Sequence, residues 1–308
     1  MPTSATANIR TSATNANLLQ DIVLAKLFVS VLRKDLVTYE LGMMEQLPMR
    51  SGKNLRWQFF ANPVAATTPL TEGSDPANSQ ALATTKVEAT IQQYGDYFEL
   101  SDFFTDVAHS GTKEEFVKAA AYAGRLTIDT LNHVELANTT TSVGAVTPLV
   151  VDTVRQAAQT LASQNAKYHR SSPGGSYYVF IGSPKACYVM FGEGNPAWSD
   201  IKTQAMSDNL NSPLKGTPAA SAMYDVIVKR SSNIQVSGGT TDVNFLIADD
   251  AFGISSLQPS QSQPEVIVVP AEPSLASPLG MRGTIGWKAS YAVKLFDSNR
   301  VSKVLSAT

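Results

Sequence analysis

Residues 50–102 decide the fold, and they read RSGKNLRWQFFANPVAATTPLTEGSDPANSQALATTKVEATIQQYGDYFELSD. Strand-forming residues occupy both ends of this stretch, while its middle is rich in Ala, Thr, Ser, Asn and Pro. Because the middle carries too little apolar surface to form a core, we predict a long β-arm that is stable only against another surface. The simplest partner is a second copy of the same protein, which favours assembly over catalysis.

The two ends of this arm predict how it leaves the body of the protein. A short apolar strand is expected at 57–60, and the TPLTEGSDP stretch at 68–76 predicts a loop. Apolar residues then alternate, first at odd and afterwards at even positions: Val87, Ala89 and Ile91, then Tyr94, Phe98 and Leu100. This one-residue change of phase predicts a β-bulge or a sharp strand bend at 92–95.

A long helix is predicted next, over residues 113–137. Thr112 followed by Glu115 is a capping-box pattern that favours a helix start. An apolar stripe at helical spacing follows it and comprises Phe116, Ala120, Ala123, Thr127, Leu131 and Val134. From Pro148 onward, alternating helical and strand patterns predict an α/β domain over 148–270, whose later strands would lie at 224–228, 243–248 and 265–269.

The end of the chain alternates strongly between apolar and polar residues. One face carries Ile285, Trp287, Ala289, Tyr291, Val293 and Leu295, and polar residues lie between them. This pattern is typical of a half-buried antiparallel strand. We predict that it pairs with the strand that leaves the arm, so that the chain returns to a sheet begun before the central domain.

Composition narrows the possible functions of the 308-residue chain. Only 16% of its residues are charged, below the ~25% of ordinary soluble domains, and a surface poor in charge often serves as an interface. The net charge of −2 argues against tight nucleic-acid binding. Cys187 is the only cysteine, so the chain contains no internal disulfide.

The first 32 residues divide into two parts. Residues 1–17 are small and polar and lack the apolar segment of a targeting signal, so we predict a disordered arm there. Residues 18–32 are strongly apolar but contain Asp21 and Lys26, and they are shorter than the ~20 residues that a membrane span requires. We interpret them as a helix packed on protein, and a helix lying on a membrane is the alternative.

The histidines provide one candidate for chemistry. Asp129 and His133 are four residues apart on the predicted helix, so their side chains can meet. A carboxylate that orients a histidine is a catalytic ingredient, but it is also a common surface pair, and no third partner stands at motif spacing. His109 and His169 lie in predicted loops without the spacing of a zinc site.

Two further patterns are weaker. GEGNPAW at 192–198 lacks the ending of a phosphate-binding loop, so a turn is predicted. Asp249 and Asp250 end a strand and could bind a metal, but a turn that starts with Asp is the favoured interpretation. We therefore predict no catalytic, cofactor-binding or metal-binding residue and expect a protein that is not an enzyme.

Four segments in order along the chain carry a resemblance to a known family. They are TPLTEGSDP, IQQYGDYFELSD, the helix that contains TIDTL, and PLGMRGTIGWKASYAVKLFD. Together they resemble the Hong Kong 97-type major capsid proteins of tailed bacteriophages, and more closely the branch typified by the capsid protein of phage N-four. The resemblance spans residues 45–300 and implies an α+β fold.

The resemblance also implies a division of the chain. Residues 1–45 would form the N-terminal arm and its helix, and 46–95 an extended β-hairpin, the E-loop, that lies on a neighbouring subunit. Residues 96–147 and 271–308 would form the peripheral domain with its long spine helix, and 148–270 the axial domain. The implied function is a shell of hexamers and pentamers around a double-stranded DNA genome.

The resemblance implies partners as well as a contact surface. The partners are other copies of the chain, a portal and a separate scaffolding protein, a decoration protein, and packaged DNA held by weak non-specific contacts, without a membrane. The implied location of the protein is the virion shell, which would be assembled in the host cytoplasm. The residues expected at contacts between subunits are Trp57, Phe59, Pro69, Leu70, Thr71, Glu72, Gly73, Gln93, Tyr94 and Gly95.

Two alternatives stay open at the level of sequence. The first is another assembly protein, such as a tail or fibre protein or a bacterial encapsulating shell, which shares the fold and differs in its cargo. The second is an α/β enzyme that uses Asp129, His133 or the pair Asp249 and Asp250. No cross-linking between subunits is predicted, because no Asn and carboxylate can be matched to Lys53 or Lys86.

Overall fold

The computed structural model describes most of the chain. The described residues are 9–10, 34, 36–48, 50–69, 72–73, 80–107, 112–170, 176–190, 222–223, 226–257, 264–273 and 278–307. The expected helix at 18–32, the turn at 192–198 and His109 lie outside these residues, as does the N-terminal arm apart from 9–10.

In the described residues the α-helices all lie between 102 and 190, and strands precede and follow them in long runs. The α-helices are α1 (Asp102–Val107), α2 (Thr112–Leu136), α3 (Val151–Ser163) and α4 (Pro184–Met190), and 3₁₀ turns occupy Thr38–Leu41 and Ser298–Arg300. The first eight strands are β1 (Ile9–Arg10), β2 (Met43–Leu47), β3 (Asn54–Phe60), β4 (Thr84–Thr90), β5 (Gln92–Ser101), β6 (Ser142–Gly144), β7 (His169–Arg170) and β8 (Ser176–Gly182). The others are β9 (Ala222–Met223), β10 (Val226–Arg230), β11 (Gln235–Ser237), β12 (Thr241–Ile247), β13 (Phe252–Leu257), β14 (Glu265–Val269), β15 (Arg282–Leu295) and β16 (Val301–Ala307).

Among the described strands, six form the first sheet, which is centred on β15. Its order is β1-β5-β15-β13-β2, and β14 also pairs with β15. β5 and β15 run antiparallel in continuous register, from Gln92 opposite Tyr291 to Ser101 opposite Arg282. The predicted pairing of the C-terminal alternating strand with the strand that leaves the arm is therefore confirmed.

The change of phase before β5 has a different cause from the one predicted. β5 pairs with β15 without a bulge across 92–95, so the expected bulge there is wrong. The break lies at Ile91, between β4 and β5, where the chain stops pairing with β3 and joins the larger sheet. The apolar positions change from odd to even because the chain passes from one sheet to another at this point, and not because a residue is inserted.

Among the described strands, eight form the second sheet. The strands at its borders differ from those expected in the predicted domain at 148–270. Its order is β6-β16-β12-β8-β10-β9, with β11 on β12 and β7 on β8. The strand expected at 265–269 exists as β14, but it pairs with β15 in the first sheet. The C-terminal β16 pairs with β12 in the second sheet. Both placements differ from the sequence analysis because strand propensity identifies a strand without identifying its partner.

The long helix α2 confirms the predicted helix and corrects its buried face. Its buried residues are Thr112, Ala120, Gly124, Ile128, Asp129, Asn132, His133 and Leu136. Val134, which the apolar stripe included, is 47% exposed. The predicted face was wrong in part because four of the buried residues are polar, and two of them, Asp129 and Asn132, find hydrogen-bond partners inside the protein, which a search for apolar spacing does not detect.

Three apolar clusters hold the described parts together. The largest lies between α2 and both sheets and includes Phe104, Phe252, Ile285 and Tyr291. The second lies under α3 and α4 against the eight-stranded sheet. The third is small and joins the β3–β4 hairpin to the end of β15. This third cluster positions the candidate site.

Candidate assembly surface

The β3–β4 hairpin forms a two-stranded sheet of its own. Its register runs from Asn54 opposite Thr90 to Phe60 opposite Thr84. The pairing continues for one more step, since the Ala61 N–H donates to the Ala83 carbonyl at 2.8 Å. Among the described strands, none other than β3 and β4 belongs to this sheet. Isolated two-stranded hairpins are marginal in water, so this one depends on what it packs against.

The root of the hairpin packs on its own chain. Trp57 is 5% exposed, and its ring lies edge-on to Phe296 with the centroids 5.1 Å apart. Phe59 lies 4.9 Å from the same ring, and the guanidinium of Arg300 lies 5.7 Å from the Phe59 ring centroid. The burial of Trp57 removes it from the predicted contact surface, because its side chain is already covered by its own subunit.

A glycine makes this close packing possible. A Cβ atom at Gly253 would lie 2.5 Å from the Phe296 ring and 2.7 Å from the Trp57 ring. β13 therefore approaches the root only because this position has no side chain. The sequence analysis did not single out Gly253, and a Gly inside an otherwise apolar strand is the signal that could have suggested it.

The far end of the hairpin has the opposite character. Phe60, Val64 and Leu82 are 66%, 79% and 57% exposed. Residues 60–69 and 80–83, which we call the tip together with 72–73, are all exposed. Pro69, Glu72 and Gly73 of the predicted contact set lie here, whereas Leu70 and Thr71 lie outside the described residues. Exposed apolar side chains on a polar arm are typical of a contact surface.

The remaining predicted residues line a groove on the first sheet. The groove has a volume of about 450 Å³ and is lined by Gln93, Tyr94, Gly95, Asp96, Tyr97, Ile267, Thr284, Gly286, Trp287 and Lys288. At Gly95, β5 approaches β15 closely, since a Cβ there would lie 2.7 Å from the Trp287 carbonyl oxygen. A Cβ at Gly286 would lie 2.8 Å from the Tyr97 Cβ. Sequence reasoning missed the β14 and β15 side of this groove.

β14 adds an apolar strip beside the groove. Ile267, Val268 and Val269 are 42%, 54% and 51% exposed. Among the described strands, β14 pairs only with β15, which leaves its other edge without a strand partner. A hydrophobic edge strand is prone to association. The strip shares Ile267 with the groove and continues it, whereas the hairpin tip is a separate exposed surface.

The candidate catalytic residues lie in structural roles. The side chains of His133 and Asp129 are 0% and 2% exposed, so the pair is buried and is not the surface pair considered from sequence. Asp249 and Asp250 form the expected turn, and both carboxylates contact the Lys167 ammonium at 2.6 and 2.9 Å.

The other reactive groups also lack an open site. His169 Nδ1 lies 3.5 Å from Asp249, and burial lowers the pKa of His169. Cys187 is fully buried, and this burial raises the pKa of its thiol to about 12, which keeps it protonated and unreactive at neutral pH. In the part of the chain that the structure describes, no three His, Cys, Asp or Glu side chains are grouped to hold a metal ion. None of the described helices is both long enough and apolar enough to span a membrane.

Comparison with known proteins gives matches in structure but not in sequence. No family model matches the chain, and no curated protein matches it. A chain in the head structure of Helicobacter pylori bacteriophage KHP40 is 10% identical, with a TM-score of 0.70 over 97% of this chain and 98% of that one. A chain in the capsid of Ralstonia phage GP4 is 12% identical, with a TM-score of 0.67 over 94% and 95%.

A third match extends the same result. A chain in the capsid structure of the cyanophage P-SCSP1u is 11% identical, with a TM-score of 0.65 over 94% of both chains. At such low identities the likeness shows a shared fold, and it covers nearly the whole of each chain. The predicted α+β fold of the Hong Kong 97 type is therefore confirmed.

Proposed function

We propose that this chain is a major capsid protein, which assembles as hexamers and pentamers into an icosahedral shell around double-stranded DNA. The observation that carries the proposal is that phage capsid chains match 94–97% of this chain's length. The residues considered for an enzyme do not favour one. Asp129 and His133 are buried, and the carboxylates of Asp249 and Asp250 contact the Lys167 ammonium.

The hairpin is the proposed contact between subunits. Its root is fixed to its own chain through Trp57 and Phe296, while its tip exposes Phe60, Val64 and Leu82. Each half of the arm contains about 22 residues. At ~3.3 Å per residue, one half reaches at most ~70 Å, which is long enough to cross a neighbouring subunit. Head-to-tail contacts of this kind close into rings, and obligate ones commonly bury more than ~2,000 Å².

The division of the chain into parts is also proposed, with borders adjusted to the sheets. The N-terminal arm ends before β2, and the E-loop, expected at 46–95, is narrowed to 48–91 between β2 and β5, with β3 and β4 as its paired part. The peripheral domain comprises the six-stranded sheet with α2, to which β13 and β14 belong by pairing. The axial domain comprises the eight-stranded sheet with α3 and α4, to which β16 belongs.

Several finer expectations follow from the proposal. The virion shell is the proposed location, with assembly in the host cytoplasm beside a portal, a separate scaffolding protein and a decoration protein. Packaged DNA would meet an inner surface through weak contacts that weaken further with salt. The branch typified by phage N-four is the proposed relation within the capsid fold.

Electron microscopy of the purified chain tests the proposal. Closed particles or rings built from many copies are the expected result, with the particles from infected cells containing DNA. Particles that enclose protein cargo and no nucleic acid would instead indicate an encapsulating shell. Only monomers or dimers under all assembly conditions would contradict shell formation altogether.

A further inference from the structure

A buried polar cluster surrounds Asp129 on α2, away from the hairpin and the groove. Asp129 is 1% exposed, and Asn132 is fully buried beside it. Thr38 in the first 3₁₀ turn is also fully buried, and Asn233, between β10 and β11, is 7% exposed. Buried polar groups are costly unless they are hydrogen-bonded, so the partners of these side chains indicate what the cluster does.

Hydrogen-bond donors converge on the Asp129 carboxylate from three segments. Oδ1 accepts the Thr38 backbone N–H at 3.1 Å and the Thr38 hydroxyl at 2.5 Å. Oδ2 accepts Asn233 Nδ2 at 2.9 Å and lies 3.3 Å from His133 Nε2. Because an ionised carboxylate only accepts hydrogen bonds, it matches this set of donors, and a protonated carboxyl or an amide would not.

The cluster connects the N-terminal segment to both sheets. Thr38 Oγ1 also accepts Asn132 Nδ2 at 3.1 Å, and Asn132 Oδ1 accepts the Tyr291 hydroxyl of β15 at 2.6 Å. Asn233 connects the same carboxylate to the eight-stranded sheet, since it lies between two of its strands. α2, the two sheets and the segment around Thr38 are therefore connected through one hydrogen-bonded cluster, in which β15 reaches Asp129 by way of Asn132 and Thr38.

The segment that Thr38 belongs to is also attached through the pairing of β2 with β13, the partly buried Tyr39 and an ion pair between Glu40 and Lys229 at 3.5 Å. Residues 36–47 run through the 3₁₀ turn into β2, and β2 is an edge strand that pairs with β13 alone among the described strands. Four of its five residues are exposed, including Met43 and Met44 at 45% and 49%. Leu41 and Leu47 supply the segment's buried apolar contacts. Regions with few buried apolar contacts are the ones that open locally.

We propose that the Asp129 cluster is a latch that holds residues 36–47 in place, and that loss of its charge releases this segment while both sheets stay folded. Release of β2 uncovers the edge of β13, to which it pairs in parallel from Met43 opposite Gly253 to Leu47 opposite Leu257. The inference concerns the single chain and holds whether or not the chain forms shells.

The direction of the pH response follows from the groups that face Asp129. Burial acts to raise the pKa of Asp129, but His133 and the hydrogen bonds from Thr38 and Asn233 hold that pKa below its usual value. The other titratable groups nearby are Tyr291 on β15, Tyr39 in the 3₁₀ turn, and Lys34, whose ammonium donates to Asn233 Oδ1 at 3.1 Å. Burial raises the pKa of Tyr291, so this group stays a neutral donor.

A carboxylate whose pKa is lower in the folded state than in the unfolded state stabilises the folded state at pH values above the unfolded pKa. That contribution is lost as the pH falls through the folded pKa. The ordinary Asp pKa is about 3.9, so the latch is closed at neutral pH and opens only in acid below about pH 4.

Hydrogen–deuterium exchange of the full chain at neutral pH tests the latch. Asp129→Asn keeps the size of the side chain but turns an NH₂ group toward donors, and Thr38→Val removes the hydroxyl. Both variants are expected to exchange the amides of 36–47 at least about tenfold faster, with the amides of β12 unchanged. Thr38→Ser keeps the hydroxyl and is expected to stay within about twofold of wild type.

Asp152→Asn is the matched control for loss of a carboxylate. Asp152 lies on α3, is half exposed, and its carboxylate contacts Arg155 at 2.5 Å. It is expected to leave exchange in 36–47 unchanged. Unaltered exchange in 36–47 for both latch variants would overturn the proposal. An equal acceleration in β12, or the failure of both variants to fold, would also overturn it, because the cluster would then support the whole core.

Discussion

The root and the tip of the β3–β4 hairpin are adjacent in the chain but differ in what covers them. At the root, Trp57 is 5% exposed and packs on Phe296. At the tip, Phe60 and Val64 are 66% and 79% exposed. A side chain covered by its own subunit contributes to folding, while one left exposed contributes only when a partner arrives. The hairpin therefore combines an anchor with a free contact surface.

Removal of the tip is expected to have the largest effect. Joining Ala61 to Ala83 through Asn-Gly, which favours a two-residue hairpin turn, keeps β3 and β4 paired. The variant should fold as a monomer but form no shells, because the root is intact and the contact surface is gone. Circular dichroism and electron microscopy measure the two properties. Loss of the folded monomer would show that the tip belongs to the core.

Trp57→Ala is expected to have the largest effect at the root. Truncation of a buried Trp leaves a cavity against Phe296 and typically costs about 3–5 kcal/mol. The free energy of unfolding from urea titration should fall by that amount. A fall of less than about 1 kcal/mol would mean that the hairpin is not anchored by this contact, and the distinction between root and tip would fail.

Gly253→Ala should perturb the same root from the side of β13. The added Cβ would lie 2.5 Å from the Phe296 ring, so the ring must shift. Overpacking of this kind costs about 1–3 kcal/mol. Gly239→Ala is the control for the substitution itself, because no atom lies within 4 Å of a Cβ there, although its φ of +77° adds backbone strain. Gly253 has no positive φ, so its loss is expected to come from the ring contact, and no loss at Gly253 would contradict the close packing assigned to it.

The double substitution Phe60→Ser and Val64→Ser is expected to have the smallest effect on the monomer. Exposed substitutions usually change stability by no more than about 0.5 kcal/mol. The concentration required for assembly should nevertheless rise, because the apolar contact with a partner is lost. Light scattering during assembly measures this threshold. An unchanged threshold together with reduced monomer stability would reverse the roles assigned to the two ends.

The sequence was sufficient for features that depend on a local pattern. Alternation at 284–296 predicted β15, and the helical spacing after Thr112 predicted α2. The exposure of the tip was predictable because the middle of residues 50–102 contains too few apolar residues to form a core. Features that depend on distant partners were not predictable in the same way. The parity change at Ile91 looks the same for a bulge and for a change of sheet, and only the pairing of β5 with β15 distinguishes them.

Burial of polar residues set a second limit. Asp129 and Asn132 face the core because Thr38, Asn233 and Tyr291 supply hydrogen-bond partners from segments 91–159 residues away. The groove also combines Gly95 with Gly286 and Ile267, which the sequence separates widely. Such sites arise from the meeting of distant segments, so no single stretch of sequence contains their signal.

A cryo-electron microscopy map of the assembled particle tests the central claim most directly. The account predicts density for residues 61–83 on the surface of a neighbouring subunit, with Trp57 packed on Phe296 of its own chain. Density that places 61–83 against their own subunit would contradict the claim, even if the particle itself were closed.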